Sequence, residues 1–160
     1  MNNGQLTALL TTVLDMVGDN RAASGRILKS FALAQALTAE GEFCNDDKAL
    51  VSAAAILHVL NEQPTNDDSD SQPMVLAGYM TQLLQSLYLP QYEVATITAL
   101  IDMQNHGPEI TNPLHRLLID LHTIVTLDEE NADLERVSAA LEKMTNESAK
   151  RRLRLMFGIK

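Results

Sequence analysis

Apolar residues recur at intervals of three and four along nearly the whole chain, and no segment alternates with a period of two. That regularity restricts the fold more than any other feature. A helix buries one stripe spaced at three and four, whereas a half-buried strand needs every second residue. Leu6, Leu9, Leu10, Val13, Leu14 and Val17 form the first stripe, halted by "GDN" at 18–20. A second helix is predicted over about 21–40, with Ile27, Leu28, Phe31, Ala34 and Leu37 on its stripe and Gly41 at its end. Asp46 or Asp47 is positioned to cap a third over about 47–62, whose alanines permit close packing.

The polar, proline-bounded "PTNDDSDSQP" (64–73) reads as a loop. A fourth helix is predicted from Met74 to Leu87 and a fifth from near Pro90, which suits a first helical turn, to His106. "TNP" (111–113) offers an N-cap followed by proline, opening a sixth helix that runs to about Leu127. A seventh follows over about 132–144, and "TNES" caps a short last one. With no repeat at a fixed period and no strong internal boundary, residues 1–160 read as one all-α domain of seven or eight helices.

Composition narrows the function classes. Hydrophobic residues make up 46% of the chain and charged residues 21%, values ordinary for a globular protein. A net charge of −9 argues against an extended nucleic-acid surface, because phosphate binding needs cationic patches. Five of the 12 basic residues (Lys150, Arg151, Arg152, Arg154 and Lys160) lie in the last eleven positions, where they read as a solvated helix face or as a contact for an anionic partner. The lone Cys44 excludes an internal disulfide framework and makes a reducing, cytoplasmic setting the expectation. No signal peptide and no membrane-spanning run is expected. Phosphate-cradling glycine loops, GxSxG and CxxC are missing, and the acidic neighbourhood of Cys44 argues against a nucleophilic thiol.

Four stretches in order carry a resemblance. They are "RILKSFALAQAL" (26–37), "AAILHVLNE" (54–62), "LIDMQNHGPE" (100–109) and "PLHRLLIDLHTIVTLDEEN" (113–131). Over about residues 20–130 the chain resembles the HD-domain superfamily of metal-dependent phosphohydrolases; the first helix and the C-terminal helices lie outside the match. The resemblance implies a helical bundle with a divalent metal held by a His-His-Asp-Asp set. At those positions this sequence carries Lys29, His58, Val59 and His122, with Asp120 at the first acidic position of the last frame.

Those departures decide the expected chemistry. Valine has no lone pair to donate, and a lysine ammonium repels a cation. Without a bound metal there is no lowered water pKa and no Lewis acid at phosphorus. The expectation is therefore a non-catalytic HD-like protein, with no catalytic residue and no cofactor. It would have a regulatory role, binding a partner protein or a small anionic ligand in the former metal pocket. Lys29, His58, Glu62, His106, Asp120 and His122 are the candidate residues of that pocket.

Alternatives remain at this stage. His58 is also readable as a core histidine bonded to a backbone carbonyl or water, and Lys29 as a residue that snorkels to solvent or pairs with Glu62 or Asp120. A rearranged phosphohydrolase would hold a divalent metal on His58, His106 and His122, since three imidazoles and a water satisfy Zn²⁺. A purely structural helical module would fill the pocket with side chains. His115 and His122, seven apart, share a face of the sixth helix, while Asp120 points elsewhere. Apolar faces on the first and last helices are candidates for a homodimer contact.

Overall fold

The computed structural model describes residues 1–61, 72–102 and 112–159. They form eight α-helices: α1 (Asn3–Val17), α2 (Arg21–Glu40), α3 (Asn45–Asn61), α4 (Gln72–Ser86), α5 (Gln91–Asp102), α6 (Pro113–Glu129), α7 (Leu134–Lys143) and α8 (Glu147–Phe157). No strand occurs among the described residues. No described helix is long and apolar enough to cross a membrane. The expected loop at 64–73 falls almost wholly outside the described residues.

Side-chain caps set most of the helix starts. Asn2 and Gln5 form a reciprocal capping box at α1. Asn20, Asn112, Asp133 and Asn146 accept first-turn N–H groups of α2, α6, α7 and α8, and Pro113 stands at the first position of α6 as "TNP" predicts. The start of α3 differs from the expectation. Cys44, rather than Asp46 or Asp47, is the cap: its Sγ accepts the Asp47 N–H at 3.4 Å while the Asp47 carboxylate accepts the Cys44 N–H at 3.3 Å. Gly18 closes α1 at φ 51°, a left-handed conformation that favours glycine.

α3 is the axle of the molecule. It packs against α2 most extensively, and also against α5, α1, α6 and α4. Every residue from Val51 to Leu60 is buried, so this helix has no solvent face there. That explains why its apolar run shows little stripe: a helix surrounded on all sides is apolar all round. Ala53, Ala54 and Ala55 keep the neighbours close, while Ile56 and Leu57, both at 0% exposure, each contribute about 1.5–3 kcal/mol by leaving water.

On α2 the buried stripe is Ala23, Ile27, Ser30, Ala34, Leu37 and Thr38. Leu28, expected on that stripe, is instead about half exposed. Two buried hydroxyls take core positions without leaving polar atoms stranded. Thr38 donates to the Ala34 carbonyl at 2.7 Å, and Ser52 of α3 donates to the Lys48 carbonyl while accepting from Gln35 of α2. Lys150, Arg151, Arg152 and Arg154 of the basic run lie on α8, where Lys150 pairs with Glu147 and Arg152 ties α8 to Glu40 of α2.

Candidate functional site

Of the four candidate residues that are described, the structure brings two into direct contact. His58, on the last turn of α3, and His122, midway along α6, meet edge to face with ring centroids 4.8 Å apart and planes at 89°. The edge of one imidazole meets the face of the other, the arrangement that aromatic quadrupoles favour. His58 is buried and His122 partly so. The pair therefore sits where α3 reaches α6, at the edge of the core.

Val59 follows directly and is 1% exposed. It belongs to the hydrophobic core cluster with its α3 neighbours. A carboxylate in its place would enter that cluster, and only a bound cation or a strong donor set would make it tolerable.

Lys29 finds its partner on α6. Its ammonium forms an ion pair with Asp128, both side chains being about one-third exposed. One turn earlier on α2, Arg26 reaches Glu129 at 3.2 Å and the Thr126 hydroxyl at 3.3 Å. Two cations thus lie against the C-terminal turns of α6, where the helix dipole also favours positive charge. A partly exposed pair of this kind contributes at most about 1 kcal/mol. The pocket that the resemblance implies offered Glu62 and Asp120 as partners; the signal for Asp128 lay in the acidic run "DEEN", which reads first as a solvated helix end.

Asp120 turns away from the histidines. Its Oδ2 accepts the backbone N–H groups of Thr145 at 3.1 Å and Asn146 at 2.8 Å, so the carboxylate holds the entry to α8. Burial pushes its pKa up from 3.8, against a downward pull from those two N–H groups and, less strongly, from Lys150 and Arg116. His115 is buried against α5, with Nε2 3.3 Å from the Ala99 carbonyl oxygen. Three polar residues of α6 thus serve three directions: His115 toward α5, His122 toward α3, Asp120 toward α8. Glu62 and His106 lie outside the described residues.

A divalent cation on these positions would need a converging set of lone-pair donors. The resemblance requires three or four oxygen or imidazole ligands; the described residues supply two imidazoles, a valine and an ammonium already paired with a carboxylate. No group of three His, Cys, Asp or Glu side chains converges among the described residues. This set does not fit the metal. Comparison of the chain with family models, curated proteins and solved structures finds no match in any of the three.

Proposed function

We propose that the chain is an HD-domain-like scaffold whose role is binding rather than turnover: a regulatory protein that holds a small anionic ligand or a partner protein at the His58–His122 pair. The contact between those two imidazoles carries the reading. The resemblance places residues 58 and 122 at one site although 64 positions separate them in sequence, and side chains in ring contact are what such a site requires. Val59 in the core and Lys29 on Asp128 support the loss of metal chemistry, because neither donates a lone pair to a cation. Imidazole N–H groups donate hydrogen bonds, which suits an anion better than an apolar ligand.

The test combines metal analysis with ligand binding. Protein purified without chelators is expected to carry no stoichiometric divalent metal and to show no phosphatase turnover with Mn²⁺, Mg²⁺ or Zn²⁺. Phosphate or a nucleoside monophosphate is expected to raise the melting temperature, and His122→Ala to remove that rise. Stoichiometric metal together with turnover abolished by His58→Ala would replace this reading with a hydrolase using a rearranged ligand set.

A further inference from the structure

A groove of about 440 Å³ runs between α6 and α7, within the usual range of small-molecule sites. Its walls are largely apolar. Ile119 and Leu127 come from α6, Ala139 and Ala140 from α7, and Met144 from just beyond α7. With only methyl groups at 139 and 140, α7 leaves width beside α6 that a larger side chain would fill.

Four polar side chains border the groove, and three are committed within the protein. Asp120 accepts the Thr145 and Asn146 N–H groups. The Thr123 hydroxyl donates to the Ile119 carbonyl at 2.9 Å. Arg136 is paired with Glu130. Lys143 is different: it is exposed, it ends α7, and it forms no ion pair among the described residues. The groove thus offers an apolar channel with a cation at its rim that has no ion-pair partner among the described residues.

We infer that this groove binds a small amphiphilic anion, a monocarboxylate whose apolar chain lies along Ile119, Leu127 and Met144 and whose head meets the Lys143 ammonium. The acid, the hydroxyl and the guanidinium each already hold a partner within the protein, so the ammonium is the group best placed to take the ligand's charge. A cation would meet the lysine as a like charge. The site does not involve the His58–His122 contact, and it stands whether or not the reading of that pair holds.

Calorimetric titration of the full chain with butyrate, hexanoate, octanoate and octylammonium tests the inference. Affinity is expected to rise by up to about fourfold per added methylene, as burial of each CH₂ implies. Octylammonium should bind at least roughly tenfold more weakly than octanoate, and Lys143→Met should weaken octanoate by a similar factor without moving the melting temperature. Ala139→Phe, at an exposed position, should abolish binding while the protein stays folded. Equal affinity for octanoate and octylammonium, no dependence on chain length, or full binding by the Ala139→Phe protein each overturns the proposal. So does sedimentation with phosphatidylglycerol vesicles in the absence of octanoate binding, which would make this face a membrane contact.

Discussion

Asp120, midway along α6, receives the N–H groups of both Thr145 and Asn146, so a single carboxylate fixes where α8 begins. Removing it leaves two backbone donors without their acceptor. Asp120→Ala is expected to cost about 1–3 kcal/mol, read as a lower urea midpoint. Asp120→Asn, which keeps one acceptor oxygen, should cost less.

The same residue makes stability depend on pH. Because burial raises the Asp120 pKa above 3.8, the native protein holds this proton to higher pH than the unfolded chain does. Its contribution is then fully present below 3.8 and is lost as pH rises through the raised value. Wild type should therefore gain stability relative to Asp120→Asn on acidification from about pH 6 to about pH 3. Urea midpoints of the two proteins across that range measure the gap. A gap independent of pH would show that the two N–H bonds fully offset the burial.

The imidazole contact should register as a coupling energy. A double-mutant cycle with His58→Ala and His122→Ala is expected to give about 0.5–1.5 kcal/mol, the range of aromatic pairs in contact. Additive effects would mean that the rings touch without helping to hold α3 to α6.

Val59→Asp tests the proposed ancestry. At 1% exposure, an unpaired carboxylate should destabilise the protein by about 3–5 kcal/mol. If this scaffold is HD-like, the new carboxylate beside His58 partly rebuilds a ligand set, and Mn²⁺ should raise the melting temperature of the variant but not that of wild type. Mn²⁺ at about 100 times its Kd would return about 2.7 kcal/mol. A variant indifferent to Mn²⁺ would count against the resemblance.

At the start of α3, a thiol does the work of a hydroxyl. Sulfur accepts hydrogen bonds weakly, so Cys44→Ser should stabilise the protein by up to about 1 kcal/mol. Asp47→Ala should cost about 0.5–1 kcal/mol by opening the other half of the box. Thermal melts of the two variants measure both effects. A Cys44→Ser protein no more stable than wild type would mean the thiol already caps as well as an alcohol.

The helices were legible because their punctuation is local. Gly18, Asn112–Pro113 and Asn146 announce their roles within a few residues, and the observed boundaries follow them closely. The Cys44 cap was not legible, since cysteine is an uncommon cap and two better ones stand beside it. Leu28 misled for a related reason: spacing fits it to the stripe, while the packing of α2 chose Ser30 and Thr38. At the candidate site, only the resemblance suggested that residues 58 and 122 belong together. It did not reveal that Lys29 would lean on Asp128 or that Asp120 would serve α8. Those choices depend on how α6 is rotated against three neighbours, which no short stretch of sequence encodes.

A helix sheathed on every side by segments made before and after it sets a schedule for the newborn chain. When α3 leaves the ribosome, α1 and α2 can shelter part of it, but α5 and α6 do not yet exist. Until they arrive, part of the stretch from Val51 to Leu60 lies open as a sticky surface. Premature stops downstream of α3 should therefore yield insoluble fragments rather than smaller working proteins.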